Sequence, residues 1–213
     1  HTTISRFVKK IRKQITKLLG IRQAVSVAVD ATGFELESKS YYYRQIAQDL
    51  FNHRRKTKKF MKLSIAVDVD KQLILTHKIR KSHAHDSRDF KYLIKDLKTN
   101  HVLADKGYSS KKARDFVFYK LKAIPIIPRK INEGDYKILN GHYILEYDKE
   151  FYKKRGVVEN IFFCIKRKYG SVLRNKSFAT QKVELISKLI AHNVDRMQHY
   201  FLPILEGCTS ALI

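Results

Sequence analysis

The stretch DKEFYKKRGVVENIFFCIKRKYG, residues 148–170, has the period of a helix that packs one side on a core. At about 100° per residue, one narrow stripe of this helix carries four functional side chains: Tyr152, Arg155, Glu159 and Lys166. The opposite arc is apolar and contains Val157, Val158, Ile161, Cys164 and Ile165. The pattern predicts one helix that presents a single carboxylate among cations. A carboxylate in such a basic setting indicates a specific role, which has to be inferred from the rest of the chain.

The charge balance of the chain is strongly basic. Its 213 residues include 44 Lys and Arg against 20 Asp and Glu, a formal net charge of +24. Such an excess attracts polyanions, so we expect a nucleic acid as partner. A ribosome-associated protein and a basic surface without a specific partner are the alternatives. A hydrophobic fraction of 44% and 12 Phe and 12 Tyr residues indicate a folded domain with a full core.

The two cysteines, Cys164 and Cys208, offer neither the spacing of zinc ligands nor a disulfide framework. Because Cys164 lies on the apolar arc of the helix, we expect it to be a small core residue. This cysteine usage fits a reducing cytoplasm. No apolar run approaches the roughly 18 residues of a membrane span, so we expect no membrane contact.

The two ends of the chain differ in character from its middle. Residues 4–19 space apolar side chains at helical intervals with basic residues between them. We therefore predict that residues 1–20 are a basic helix. Because the chain begins at His1 rather than Met, we expect this helix to be the remnant of a longer amino-terminal region. Residues 21–203 are predicted to form one domain, and residues 204–213 a tail.

A second basic segment lies within residues 35–60, which combine a run of tyrosines with the sequence HRRKTKKF. We predict a loop or a loosely structured arm here. Cations interleaved with aromatic residues suit a nucleic-acid backbone, which makes Arg54, Arg55 and Lys56 candidate DNA contacts. A solvated run of charge is the alternative.

Two short apolar segments each lead to an aspartate. Residues 24–34 alternate valines as a buried strand does, and we place Asp30 at the end of that strand, before a turn at residues 32–33. Residues 101–110 repeat this order with Asp105. An acid at the end of an apolar strand is well placed to face a cleft, although a turn residue is the alternative for Asp30.

A predicted β-hairpin lies between these strands and turns at residues 68–71, where Asp68 is a turn former or a rival carboxylate. The order along the chain is then strand, hairpin, helix, strand, helix, strand and final helices. A hairpin followed by strand–helix crossovers makes a mixed sheet with helices on its faces. The predicted fold class is therefore α/β.

The helix after the hairpin is expected to begin at Asp86 or Ser87, either of which can cap it. The segment that leads into it has the composition of a metal site, with His83, His85 and Asp86. Because no further ligands follow at suitable spacing, capping and loop roles are favoured over metal binding.

Three carboxylates stand out as candidates for chemistry: Asp30, Asp105 and Glu159. If the two strands are neighbours, their ends lie about 5 Å apart, and the later helix can bring Glu159 beside them. Three acids in one pocket repel one another unless they are protonated or bridged by cations. Hard oxygen ligands favour Mg²⁺, with Mn²⁺ as a substitute. Two such ions about 4 Å apart would clamp the attacking and leaving oxygens of a phosphoryl transfer, while Arg155 and Lys166 held phosphates.

The helix also resembles the Y-(2)-R-(3)-E-(6)-K signature of DDE transposases from bacterial and archaeal insertion sequences, here Tyr152, Arg155, Glu159 and Lys166. VAVDATGF around Asp30 and VLADKGYSS around Asp105 are similar to the strand signatures of that family. HRRKTKKFMKLSIAVDVDKQLIL is similar to the segment that the family carries between its first acid and its second strand. The resemblance covers about residues 20–203.

The resemblance implies a ribonuclease H-like fold, a mixed sheet flanked by helices, and an enzyme with two Mg²⁺ ions. Its catalytic residues and metal ligands would be Asp30, Asp105 and Glu159. The implied reaction is metal-dependent cleavage at transposon ends, followed by attack of the freed 3′-hydroxyl on target DNA without a covalent enzyme intermediate. DNA phosphates would be contacted by Tyr152, Arg155 and Lys166.

The implied partners are transposon-end and target DNA, with a homodimer in the synaptic complex left open. The implied location is the nucleoid in a prokaryotic cytoplasm. The link at residues 131–148 is too short for the β-rich domain that some relatives insert before the glutamate, and the amino-terminal DNA-binding region of the family would be mostly absent. Two other functions remain open: a non-catalytic or decayed transposon-derived DNA-binding protein, and a structure-selective nuclease of the same fold.

Overall fold

The computed structural model describes residue 6 and residues 23–36, 60–81, 85–128 and 149–209, with residues 200–209 described by their backbone alone. Several predictions made from the sequence fall on other parts of the chain. These are the basic helix in residues 1–20, the DNA contacts Arg54, Arg55 and Lys56, the candidate ligand His83 and the link at residues 131–148.

The described part of the chain contains one mixed sheet of six strands. They are β1 (Ser26–Leu36), β2 (Phe60–Asp68), β3 (Ile74–Arg80), β4 (His101–Ala104), β5 (Ile124–Ile126) and β6 (Val172–Leu173). The strand order is β3-β2-β1-β4-β5, and β6 pairs with the far end of β1. β1 to β3 are antiparallel neighbours, whereas β4 and β6 run parallel to β1 and β5 runs parallel to β4. The predicted α/β mixed sheet is confirmed.

Helices cover both faces of this sheet. They are α1 (Ser87–Ile94), α2 (Lys111–Asp115), α3 (Lys149–Lys153), α4 (Gly156–Tyr169) and α5 (Phe178–Thr209). A single 3₁₀ turn spans Lys106–Tyr108, and a π-helical turn spans Phe116–Lys120 after α2. No described helix is both long and apolar enough to cross a membrane.

Two apolar cores lie on the two faces because side chains alternate along each strand. Val27 and Val29 of β1 pack with α1 and α2, whereas Ala28 and Phe34 of the same strand pack with α4 and α5. The face that Ala28 and Phe34 share also receives Asp30, by the same alternation. The acid is therefore directed to the side on which α4 lies.

The predicted hairpin is confirmed, and its turn explains Asp68. The Asp68 Oδ1 atom accepts hydrogen bonds from the backbone N–H of Asp70 (2.9 Å) and of Lys71 (3.1 Å). The same turn includes Gln72 at a positive φ of 56°. Because its carboxylate is occupied in this way, Asp68 is a turn former and not a rival carboxylate.

The strand that contains Asp30 does not end there, contrary to the prediction. β1 continues to Leu36, and its pairing with β2 runs without interruption from Val27 opposite Asp68 to Glu35 opposite Phe60. No turn forms at residues 32–33, since both lie within β1 and pair with β2. A Cβ atom at Gly33 would lie 3.3 Å from the ring of Phe60, so the missing side chain makes room for that ring.

The stretch at residues 148–170 is two helices rather than the single predicted one. α3 ends at Lys153, two residues form a turn, and α4 begins at Gly156. The buried face of α4 is also rotated from the prediction, since Phe162 is buried and Cys164 is exposed. Val158, Ile161, Phe162 and Ile165 complete the i, i+3, i+4, i+7 stripe of a packed helix. Burying the larger Phe162 ring removes more apolar surface from water than burying a thiol would.

The prediction of a helix after the hairpin is confirmed as α1, but its predicted cap is not. Asp86 stands immediately before α1 and makes no side-chain capping hydrogen bond. Its carboxylate instead pairs with the Lys62 ammonium of β2. The Ser87 hydroxyl lies 2.8 Å from Nδ1 of His85.

Candidate active site

Asp30 and Asp105 lie side by side because β1 and β4 are neighbouring parallel strands. The pairing of the two strands ends with Val29 opposite Ala104, so the next residue of each strand is one of the two acids. Adjacent strands are about 5 Å apart, which brings both carboxylates into one site. The sequence placed Asp105 at the end of its strand, and β4 does end at Ala104.

Each of these carboxylates is oriented by a backbone amide just after it. The Asp30 Oδ1 atom accepts from the N–H of Ala31 at 2.8 Å, and the Asp105 Oδ1 atom accepts from the N–H of Gly107 at 2.7 Å. Position 107 has to be glycine for this arrangement, since a Cβ there would lie 2.9 Å from Oδ1 of Asp105. Each aspartate therefore has one oxygen fixed by the backbone.

Glu159 joins this site through Arg155. The Arg155 guanidinium donates from Nη1 to Oδ2 of Asp30 (3.2 Å) and from Nη2 to Oε1 of Glu159 (2.5 Å). The Asp30 and Arg155 side chains are each 18% exposed, whereas Glu159 is 59% exposed. The cation therefore lies between a recessed acid and one that is exposed to solvent, and we refer to the region around these side chains and Asp105 as the cleft.

The electrostatics of the site favour a cation beside Asp30. Burial raises the pKa of the Asp30 carboxyl, and the nearby negative charges of Asp105 and Glu159 raise it further. The Ala31 amide and the Arg155 guanidinium act in the opposite direction. Because the net pKa is raised, ionised Asp30 depends on positive charge close to it.

The cleft lies at a gap in the pairing of β1. On one edge of β1, the pairing with β4 stops at Val29, and the pairing with β6 starts at Glu35. Over residues 30–34 no described strand pairs with this edge. This unpaired stretch on one edge of β1 begins at Asp30.

Lys166, two turns after Glu159 on α4, reaches back to β1. Its ammonium donates to the Thr32 hydroxyl at 2.7 Å and lies 5.4 Å from the ring centroid of Phe34. Burial lowers the pKa of Lys166, and the charge of Glu35 raises it in part. Thr32 was missed in the sequence, although its position two residues after Asp30 on a strand puts both on the same face.

Tyr152 of α3 is half-buried against the core on the α4 side of the sheet. The Arg155 guanidinium carbon lies 5.8 Å from its ring centroid. The stripe drawn from the sequence is therefore preserved across the break between α3 and α4. Tyr152 and Arg155 are directly in contact, and Glu159 and Lys166 follow on α4.

The described residues contain no group of three or more His, Cys, Asp or Glu side chains gathered closely enough to hold a metal ion. This applies also to the segment around His85 and Asp86. At the cleft, the Arg155 guanidinium bonds to Asp30 and Glu159, so a cation already stands between two of the three acids. Carboxylate oxygens are the donors that hard divalent ions prefer, and a positive group is what these acids already bind. The donor chemistry of these acids suits such an ion, but in this arrangement the Arg155 guanidinium stands between Asp30 and Glu159.

A family model described as the transposase DDE domain matches residues 22–194. The chain belongs to this family of DDE transposase domains. The match runs from just before β1 into α5 and includes every acid of the cleft. Transposases of this family normally use divalent metal ions.

A solved structure has a similar fold, the piggyBac transposase in a cryo-EM structure of its synaptic complex with hairpin DNA. The TM-score is 0.59 at 8% sequence identity, with 84% of this chain and 48% of that chain covered. This DDE domain chain thus spans about half the length of the piggyBac chain. The ribonuclease H-like fold that the sequence implied is confirmed at this level of likeness. No curated protein matches the chain.

Proposed function

We propose that this DDE domain is the catalytic part of a transposase that cleaves DNA at the ends of a mobile element and joins the freed 3′-hydroxyl to target DNA. The observation that carries the proposal is the placement of Asp30 beside Asp105, with Arg155 bridging Asp30 to Glu159. Asp30 and Asp105 follow neighbouring parallel strands, and Glu159 shares the Arg155 guanidinium with Asp30.

The three acids would hold two Mg²⁺ ions, with Mn²⁺ as a substitute. Ions bound there would stabilise negative charge on the phosphate and make water a stronger nucleophile. With ions held by the acids, Arg155 would be released from Asp30 and Glu159 and would be available to bind a DNA phosphate.

The remaining residues of the stripe would position the DNA. Lys166, which donates to the Thr32 hydroxyl on β1, would bind a second phosphate. The Tyr152 ring would pack against Arg155 and support its position. In the first step, a water oxygen attacks phosphorus and the bond from phosphorus to the 3′-oxygen breaks. In the second step, that 3′-oxygen attacks a target phosphate, and the target strand leaves with a new 3′-hydroxyl.

DNA as the partner is supported by the net charge of +24 and by the family. The similar piggyBac protein was solved with hairpin DNA. Lys166, Arg167 and Lys168 follow one another on α4, and of these Lys166 reaches β1 beside the site. A polyanion that enters along α4 would meet the three acids with its charge already neutralised in part.

The test is Glu159→Gln, which keeps the size of the side chain and removes its charge. We expect nicking of element-end DNA in Mg²⁺ or Mn²⁺ to fall by roughly 10³-fold or more, because a metal ligand supports several kcal/mol of transition-state stabilisation. DNA binding without metal should remain. Glu150→Gln is the matched control, since Glu150 is an exposed acid on α3 that pairs with Lys153. Nicking that survives Glu159→Gln would remove Glu159 from the metal site.

The products of the same assay separate the alternatives. A transposase joins the 3′ ends of the element to a new strand, whereas a structure-selective nuclease only cuts. A non-catalytic DNA-binding protein leaves the DNA intact at every concentration of metal. Joined products from the unsubstituted chain would support the proposal, and cut products alone would overturn its second step.

A further inference from the structure

Among the side chains that the structure describes, Phe163 is the most exposed large apolar one, at 61%. It belongs to α4, and its neighbour Phe162 is buried in the core at 6% exposure. The helix thus places one of two adjacent phenylalanines inside and the other outside. Because packing explains only Phe162, Phe163 calls for a different explanation.

The position of Phe163 ties it to the cleft. It follows Glu159 by four residues, which on a helix is one turn, about 6 Å along the axis and about 40° around it. Lys166 lies three residues further on. Phe163 therefore stands on the outer face of α4 directly beside the acid that opens to solvent.

A cation accompanies the exposed ring. The Arg167 guanidinium carbon lies 5.9 Å from the centroid of Phe163, within the range of cation–π attraction. An aromatic ring in solvent beside a cationic side chain is how proteins bind single-stranded nucleic acid, because bases stack on the ring and the cation meets the phosphate. An exposed ring amid positive charge has no such match with an apolar protein surface.

We propose that Phe163 and Arg167 form a stacking platform for an unpaired nucleobase next to the phosphate that is cleaved or joined. This inference rests on the proposed function and adds to it the form of the DNA that the cleft takes. Asp30 is recessed, with its side chain 18% exposed, so a single strand that has left the duplex reaches it more readily than a rigid duplex. Phe163 would hold the base of that strand.

The first experiment uses the absence of tryptophan from the chain. In the full chain, Phe163→Trp introduces a single indole at the platform. We expect DNA with a short unpaired 3′ tail to quench the fluorescence of this indole. The quenching should rise with the fraction of DNA bound, which is measured separately by the fluorescence anisotropy of labelled DNA. Blunt duplex of the same sequence should bind with little quenching. Measurements in EDTA keep the DNA uncut.

Tyr92→Trp is the matched control. Tyr92 is 48% exposed and has the Lys78 ammonium 4.1 Å from its ring centroid, so it offers the same chemistry. It lies on α1, which packs on the opposite face of the sheet. Tailed DNA should leave the fluorescence of this variant unchanged. Equal quenching of both variants would mean nonspecific contact and would overturn the inference.

The second experiment measures affinity. Phe163→Ala should weaken binding of tailed DNA by roughly tenfold, since stacking on an aromatic ring is worth about that factor per base. Binding of blunt duplex should change by less than about twofold. Equal losses for the two DNAs, or binding of tailed DNA by Phe163→Trp without quenching, would overturn the platform and leave the proposed function intact. If the unsubstituted chain binds neither DNA, the proposed function fails with it.

Light scattering tests the other explanation for the exposed ring, which is a contact between two copies of the chain. If Phe163→Ala converts a dimer of the chain to a monomer and leaves the affinity for tailed DNA unchanged, the ring is a contact between two copies. That outcome would overturn the platform.

Discussion

Two arginine–carboxylate pairs lie on opposite faces of the sheet and differ in what surrounds them. On the α1 side, Asp89 is fully buried and receives Nε of Arg80 on both oxygens, at 2.7 and 2.9 Å, with the Ser64 hydroxyl at 3.3 Å from Oδ2. On the α4 side, the Arg155 guanidinium is divided between Asp30 and Glu159, and Glu159 is 59% exposed.

The difference separates a structural acid from one that is available to a ligand. The oxygens of Asp89 are occupied by groups that hold α1 on β2 and β3, so little capacity remains for anything else. Glu159 has Oε1 bonded to Arg155, and its side chain is 59% exposed to solvent. Both pairs contain Arg and a carboxylate at bonding distance. Their difference in burial distinguishes the structural pair, Arg80 and Asp89, from the candidate binding residues Arg155 and Glu159.

The largest effect is expected from Asp89→Asn. This change leaves the Arg80 charge, whose side chain is 28% exposed, without its buried partner, which should lower the free energy of unfolding by roughly 1.5–3 kcal/mol. Denaturant titration measures the loss, and nicking per folded molecule should not change. Asp96→Asn is the control, because Asp96 lies just beyond α1 with its side chain 64% exposed. A loss below about 1 kcal/mol would show that the two pairs do not differ as their burial indicates.

Arg155→Ala should have a smaller effect on stability and a visible one on DNA binding. Removal of the shared cation leaves Asp30 and Glu159 unpaired, and we expect a loss of about 1 kcal/mol, less than for Asp89 because Glu159 is open to water. The slope of log affinity against log salt should fall by about one phosphate contact.

Arg88→Ala, an exposed arginine on α1, should leave the salt slope of DNA binding unchanged. An identical slope for the Arg155 variant would make Arg155 a structural residue like Arg80. Added Mn²⁺ should restore the stability of the Arg155 variant, since the ion would replace the lost positive charge between the acids.

The smallest effect concerns His192, a buried polar residue of α5 whose Nε2 lies 3.1 Å from the backbone oxygen of Gln72. Burial lowers the pKa of His192, and Arg196 and Lys168 lower it further, whereas the bond to Gln72 and the charge of Asp195 raise it. The folded state therefore disfavours protonation of His192. The contribution of neutral His192 to stability is fully present above about pH 6.5 and is lost as the pH falls below that value.

His192→Gln should remove that pH dependence. As the pH falls from about 7.5 to about 5.5, the free energy of unfolding should decrease more for the unsubstituted chain than for the variant. The difference should be at most about 1 kcal/mol, as measured by unfolding at each pH. Parallel curves for the two proteins would show that His192 titrates alike in the folded and unfolded states. Like Asp89, His192 belongs to the closed part of the molecule, and it should leave nicking unaffected.

Local patterns in the sequence were enough for several elements. The hairpin at residues 68–71 and the helix α1 rest on contacts between residues close in the chain, and a short apolar run marked the strand that leads to Asp105. Side-chain alternation and helical spacing report such contacts directly. The break between α3 and α4 was not predicted, because the helical period of Tyr152, Arg155 and Glu159 in the sequence gives no sign of it.

The burial of particular residues on α4 could not be read in this way. Phe162, Phe163 and Cys164 are all apolar, and their sequence does not say which of them faces the core. That choice depends on the angle at which α4 meets β1 and α5. The exposed Phe163 and Cys164 therefore became visible only in the folded chain.

The sequence by itself determined the family and was enough to propose the acids and cations of the candidate site, since these are matters of residue type and spacing. Only the tertiary structure decided that Asp30 lies within a long strand, that β1 and β4 are neighbours and that Arg155 stands between Asp30 and Glu159. Those facts depend on strand pairing across more than 70 residues and on a helix packed across the sheet. The free energy of such contacts comes from burial and pairing of distant segments, which no local pattern records.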